Sequence, residues 1–489
     1  MATTRGPVTT ISRQEWRWAA ARAAAVVLAA ALPYLIAWWT TPDGLFYTGF
    51  LTNPEDGHSY LAKMLQGYRG QWLSHLPYTA DLHQGEFLFT WYLALGHVAR
   101  WMGLPPILVF HGARVVNGFI LLMALYAAVA HVMSDLSQRR IAFTLITLGS
   151  GFGWLAVLLR GMTIDLWVPE GYVFYSLFVN PHFPLAITLM LFILLCSVTP
   201  WGLRRVRDQR HWTWRLLGVA LSAAALGLVL PLGLFIVGAA LGCYSAILWI
   251  QRRHPPWREI ISGGAIAVAG GPFVANAYLA STRNPAFAAW SALNQTSSPP
   301  PWDYALGYGL ILLLALGGLY TALRRRRDSD WLIVAWTMST AVLLYLPFSL
   351  QRRLVMGWIV PLGLLATMGW TRLSARVSGG VATRALARGQ ILGQASHRQY
   401  LRTPLIGALV GITHLFVLVI ALVGALTRHP VLYLGADERA GLVWLAENAA
   451  PDALVLAGPE TSLYIPAWSG QRVWYGHRFE TVDAGRRQA

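Results

Sequence analysis

The stretch from Asn53 to Gly67 holds the densest set of groups able to do chemistry: Glu55, Asp56, His58, Tyr60 and Lys63. Pro54 and Gly57 punctuate a turn, and a helix beginning there places Asp56, Tyr60, Lys63 and Gly67 on one continuous face. Its acids sit in the first turn, where the helix dipole favours the ionised carboxylate, the form a general base needs. Lys63 is the only lysine beside 37 arginines. A compact ammonium in a tight site is not replaced by a guanidinium, so this one lysine points to a specific contact. Spacing alone equally describes a solvated helix start with an ordinary surface lysine.

Two further segments carry suitable groups. Asp165, Glu170, Asn180, Pro181 and His182 lie together, and His182 can bond a hydroxyl or a phosphate at the mouth of an apolar run. The competing role for an interfacial histidine is an amphipathic side chain satisfied by water. Gln351-Arg352-Arg353 offers two planar forks of donors suited to phosphate oxygens, of a lipid headgroup or of a substrate. His58, His75 and His83 with Asp56 and Asp81 follow no compact ligand spacing. A divalent cation therefore stays possible without assigned ligands. Cys196 and Cys243 fall within apolar runs, and neither a disulfide nor a zinc site is expected.

What must position these groups is a membrane bundle. Of 489 residues 56% are hydrophobic and 12% charged, and the mean hydropathy is +0.48, more apolar surface than a soluble core can hide. Runs near 20 residues recur, each able to cross a hydrocarbon core of roughly 30 Å as a helix. The expected fold is an all-α polytopic membrane protein with about eleven transmembrane helices. They cover residues 23 to 41, 107 to 133, 141 to 159, 183 to 200, 212 to 230, 232 to 250, 260 to 280, 305 to 323, 331 to 348, 354 to 371 and 404 to 426.

The net charge of +17 would suit a nucleic-acid binder were it not for its distribution. With the N-terminus in the cytoplasm, the cytoplasmic segments carry 24 basic and six acidic residues, and everything else sums to −1. That division orients a multi-pass protein of the cell membrane and excludes any need for nucleic acid. The C-terminus then lies outside. Counting Glu86 to Met102 as a span would turn Arg139-Arg140, Arg324 to Arg327 and the basic loop outward, so it is expected to lie at the outer surface or to re-enter. The first apolar run ends in Trp38-Trp39 without a cleavage pattern and reads as a retained anchor.

A transmembrane domain is thus expected over residues 1–426, with outer loops at 42–106 and 160–182, a shorter one at 281–304, and a basic cytoplasmic loop at 372–403. Surface helices are expected in the first outer loop, and a disordered or lipid-facing segment in the basic one. Residues 427–489 form a small extracytoplasmic α/β appendage, helical over Glu438 to Asn448, with strand candidates at Ala453 to Ala457 and Arg472 to Tyr475.

The register Asp56, Tyr60, Ala62, Gly67 after the first span resembles the first outer loop of GT-C-type membrane glycosyltransferases, of the mannosyltransferase or arabinosyltransferase kind. The likeness continues to Arg114, which matches an arginine at the outer start of the next span in that superfamily. The resemblance implies a polyprenyl-phosphate-linked sugar donor, transfer on the extracytoplasmic face with inversion, and an outer-loop acid as general base. That role maps onto Asp56, with Glu55 beside it. The family's adjacent acids are here Glu55-Asp56-Gly57-His58, which leaves open which acid is the base and whether His58 adds a metal ligand. Under this expectation His58, Tyr60, Lys63, Arg114 and His182 contact substrate, and Arg352 and Arg353 stabilise the leaving phosphate. A transporter, flippase or non-catalytic scaffold with a related bundle is the alternative. Transport calls for ionisable residues paired deep in several spans, whereas here the acids gather at the outer surface.

Overall fold

The structure, a computed structural model, describes residues 11–198, 209–387, 407–451 and 453–487. A capping box opens the first helix: the Glu15 amide donates to Ser12 Oγ, and the Glu15 carboxylate accepts from the Ser12 amide. This helix, α1 (Arg13–Trp39), is followed by α2 (Pro54–Tyr68), α3 (Thr90–Met102), α4 (Pro106–Val132), α5 (Leu136–Leu148) and α6 (Gly153–Leu158). Next come α7 (Val173–Val179), α8 (His182–Ser197), α9 (Gln209–Val229), α10 (Leu232–Arg252), α11 (Trp257–Arg283) and α12 (Pro285–Leu293). The bundle closes with α13 (Pro301–Arg325), α14 (Asp328–Leu343), α15 (Ile359–Ala387) and α16 (Ile412–Leu426), and α17 (Ala436–Asn448) follows outside it.

Seven helical segments among the described residues are long and apolar enough to cross a membrane: α1, α4, the stretch Leu136–Leu158, α9 from Trp212, α10, α11 and α13. They expose large apolar side chains such as Leu28, Leu32, Val268 and Leu313, as helices solvated by lipid do. The remaining four expected spans fall on α8 and α16, which are apolar but shorter, on the 16-residue α14, and on α15. Among the described residues, length and composition therefore single out seven crossings, and the other four expected spans coincide with helices. At 13 residues, α3 is too short to span at about 1.5 Å per residue. The basic loop departs from expectation as well: residues 372–387 continue α15 as helix, and 388–403 lie outside the described residues.

Loop one and the C-terminal region build a common cap. Strand β1 (Leu45–Tyr47) pairs antiparallel with β2 (Tyr433–Gly435), Leu45 facing Gly435 and Tyr47 facing Tyr433. Beneath them Phe50, Leu61, Met64, Tyr92, Phe110, Leu434, Leu442, Ile465 and Val473 form one buried apolar cluster. Strands β3 (Leu454–Val455) and β4 (Arg472–Val473) pair in parallel, and the Val473 amide donates to the Pro77 carbonyl. The expected tail elements are present, but they share a core with loop one, so the region is an integral part of the cap. Helices α2 and α3 cross at Gly67 and Gly96, where a Cβ would meet the Leu93 and Met64 carbonyl oxygens at 2.1 and 2.0 Å. Only glycine permits that approach.

Candidate functional site

Helix α2 starts at Pro54 after Asn53, whose φ of 47° turns the chain sharply out of the first span. Glu55 and Asp56 occupy the first turn, where the unsatisfied amides favour negative charge. Asn53 Nδ2 donates to Asp56 Oδ2 at 2.5 Å, fixing one oxygen of a carboxylate that stays 42% exposed. The Arg478 guanidinium pairs with Glu55 at 3.1 Å, so Asp56 is the acid with no arginine or lysine against it.

One turn further, the Tyr60 ring stacks on Tyr92 of α3 at 4.2 Å and meets the His182 ring edge-on at 5.4 Å. The Tyr92 hydroxyl is hydrogen-bonded to His182 Nδ1 at 2.6 Å, and Asn117 holds the Pro181 carbonyl, so the start of α8 is fixed against α3 and α4. Burial raises the Tyr60 phenol far above its usual range, with the Asp56 charge adding to the rise and Arg353 opposing it. Tyr60 is a neutral hydroxyl at any physiological pH.

Arg352 and Arg353 lie on the short turn Gln351–Val355, anchored by the Arg352 amide on the Thr296 carbonyl and by Gln351 accepting from the Ser298 amide. The Arg352 guanidinium stands 4.5 Å over the Trp167 ring. Burial lowers its pKa, while the charges of Glu170 and, less strongly, Asp56 work against that. The charge of Arg353 reaches both Tyr60 and His182. Tyr60 is therefore in electrostatic reach of Asp56 and Arg353, His182 of Arg353, and Arg352 of Arg353, Asp56 and a second acid, Glu170. Nε of each arginine is buried without a hydrogen-bond partner among the described residues. Half-buried guanidinium groups left so are prepared for an anion.

Other expected contacts are built into the scaffold. Lys63 is wholly buried, 2.8 Å from Glu480 Oε1 and 2.5 Å from Ser59 Oγ, and its ammonium lies 4.3 Å over the Phe89 ring. The helical face read from the sequence is thus mostly a packing face, with Gly67 against α3 and Lys63 against the tail, and only its Asp56 and Tyr60 end stays partly exposed. Arg114 Nη1 donates to the Leu177, Phe178 and Ala30 carbonyls, which ties α7 to α1 and α4. His58 gives its Nδ1 proton to the Pro54 carbonyl and packs between Phe50 and Tyr464. Burial lowers its pKa to about 4, so it is neutral. Asp165 accepts from the Gly151 and Gly153 amides and the Thr163 hydroxyl.

Sequence reasoning gave Glu170 no role and passed over His477, Arg478 and Glu480. Glu170 stood among the polar residues of the second outer loop, and the clustering of charge from His477 to Glu480 in a tail otherwise read as an appendage was the other available signal. For a cation, no group of three or more His, Cys, Asp or Glu gathers as a metal site among the described residues. His83 spends Nδ1 on the Asp81 carbonyl and Nε2 on the Leu76 amide, so it does not fit a ligand's part.

No family model matches the chain, and no curated protein matches it in sequence. Solved structures do match its fold. An oligosaccharyltransferase from Archaeoglobus fulgidus tethered with an acceptor peptide superposes with a TM-score of 0.56 at 14% identity, over 95% of this chain and 64% of that one. AglB of the same organism, in complex with an inhibitory peptide and a dolichol-phosphate, gives 0.53 at 13% identity, over 95% and 65%. ArnT from Cupriavidus metallidurans bound to undecaprenyl phosphate gives 0.53 at 16%, over 92% and 85%. The chain shares the fold of these solved structures, and it spans just under two thirds of the length of the archaeal oligosaccharyltransferases.

Proposed function

We propose that this protein transfers a sugar from a polyprenyl-phosphate donor to an acceptor hydroxyl at the extracytoplasmic face of the cell membrane, with inversion. The observation that carries this is that the charge of Asp56 reaches Tyr60 and Arg352, that of Arg353 reaches Tyr60, and both arginines have Nε atoms with no partner among the described residues. Similar folds that hold a dolichol-phosphate or undecaprenyl phosphate support the donor class. The charge division, +18 on one side and −1 elsewhere, supports a cytoplasmic N-terminus and outer placement of the cleft.

In this reaction Asp56 takes the proton of the acceptor hydroxyl as its oxygen attacks the anomeric carbon. The bond from that carbon to the phosphate oxygen breaks, and its electron pair leaves with the polyprenyl phosphate. Arg352 and Arg353 offer charge-assisted donors that strengthen as charge develops there. Tyr60 and His182 position sugar or acceptor, His182 with the Nε2 that Tyr92 leaves unengaged. Glu170 favours the charged form of Arg352. Lys63 and Arg114 hold the frame and touch no substrate, while Glu55 is occupied by Arg478.

The test is transfer by purified protein supplied with polyprenyl-phosphate sugars. The expected products are an inverted glycoside and free polyprenyl phosphate. Movement of the lipid-linked sugar across a liposome bilayer with no bond broken would replace the enzyme by a flippase.

A further inference from the structure

We propose that His477, from the C-terminal region, is the positioning residue of Asp56, its Nε2–H holding the carboxylate in the orientation that accepts the acceptor's proton. This rests on the transfer reading given above and adds a residue from more than 400 positions away in the chain. The Phe479 amide donates to His477 Nδ1 at 3.2 Å. Nδ1 therefore carries the lone pair, and the proton of the neutral ring sits on Nε2. That nitrogen is buried without a hydrogen-bond partner among the described residues, and it lies 3.9 Å from Asp56 Oδ1. An N–H sealed from water with no acceptor is costly, and catalytic hydrogen bonds that are long in the free enzyme tighten when substrate binds. A small turn of the Asp56 side chain, which is 42% exposed, closes the gap.

The other groups around the ring are committed elsewhere. Tyr78, 5.3 Å away ring to ring, donates its hydroxyl proton to the Leu463 carbonyl. Glu480 is taken by Lys63 and Ser59, and Arg478 by Glu55. His58 is kept neutral by burial and presents a lone pair on Nε2, which makes it the one rival acceptor. His477 is held rigidly: its carbonyl accepts from the Glu480 and Thr481 amides, and its own amide donates to Thr481 Oγ1. The buried Lys63–Glu480 pair pins that turn to α2, two helical turns beyond Asp56. Asp56 is then gripped on both oxygens, Oδ2 by Asn53 and Oδ1 by His477.

The kinetic test compares His477→Leu, which removes the donor, with His477→Gln, which restores an N–H at similar reach. His477→Leu is expected to lower kcat on the order of tenfold, a fraction of what general base catalysis supplies, with donor KM unchanged. His477→Gln should recover most of it. Equal kcat in both variants, whether parental or impaired, would overturn the proposal while leaving the transfer reading intact. Parental transfer by Asp56→Asn would overturn the proposal and move the base elsewhere, while no transfer by the parent protein would end the reading and the proposal together. A readout independent of turnover is the ring itself, in protein labelled with 15N-histidine and assigned by the signals lost in His477→Gln. The expected state is the Nε2-protonated tautomer, with an Nε2 shift that moves in Asp56→Asn. A proton on Nδ1, or a signal indifferent to Asp56→Asn, would refute it.

Discussion

In the cleft, Arg352 and Arg353 keep guanidinium nitrogens without protein partners and Asp56 is 42% exposed, whereas in the frame around it Arg114, Lys63 and Asp165 have theirs filled. Both sets are charged residues of similar kinds within one cap and its supporting helices. Arg114 satisfies carbonyls at the end of α7, and Asp165 satisfies amides at the start of α6. Burying a charge is tolerable only when it is paired or hydrogen-bonded, so the frame charges are structural by their completeness. The cleft charges are incomplete within the protein. That difference separates a ligand site from a scaffold more sharply than residue type does.

The comparison breaks first at the two aspartates. Asp56→Asn keeps size and loses the proton acceptor, so turnover should fall on the order of a hundredfold or more while thermal stability holds. Asp165→Ala should do the reverse: the Gly151 and Gly153 N–H donors lose their acceptor, stability drops by about 2 kcal/mol, and each folded molecule turns over normally. Parental turnover in Asp56→Asn, with Glu55 intact, would move the base elsewhere. Next come Arg352→Lys and Arg353→Lys, which keep charge and lose the fork. Donor use should fall by roughly tenfold in at least one of them, with insertion retained. If both match the parent, the pair is a lipid-headgroup anchor.

Lys63→Met sharpens the other side of the comparison. It strands the buried Glu480 carboxylate and should destabilise docking of the C-terminal region by about 3–5 kcal/mol, read as protease sensitivity after Tyr433. Burial alone would raise the Glu480 pKa, but the Lys63 charge and the hydrogen bonds from Lys63 and Ser59 outweigh it and the net shift is downward. A depressed carboxyl pKa contributes stability that is full above the unfolded value of about 4.3 and is lost as pH falls through the folded one. Docking should loosen in acid below that value and be indifferent to pH above it. The smallest effect is topological: reporter fusions after Arg140 and Arg327 should report cytoplasm without changing expression. Two extracytoplasmic reports would reverse the orientation of the cleft.

Much of this was legible in local sequence. The helix start at Pro54, the register of Asp56 with Tyr60, the apolar runs and the elements of the C-terminal region all rest on neighbours within a few residues, which pattern and propensity report. The sole lysine drew attention for a sound reason, since its ammonium does sit in a tight buried place, but its partner is Glu480 and not a substrate. Arg114 likewise meets α7 carbonyls more than 60 residues away. Such pairings are set by the tertiary fold, and a single sequence carries no signal of them. Glu170 was named without a role because an acid in a long loop looks like solvated surface until its charge is found to reach Arg352.

The most direct test of the account is a structure of the protein with undecaprenyl phosphate bound. The account predicts the phosphate within about 3 Å of guanidinium nitrogens of Arg352 and Arg353, on the side of the cleft facing Asp56. A phosphate seated away from both arginines, with their Nε atoms still unpartnered, would contradict it.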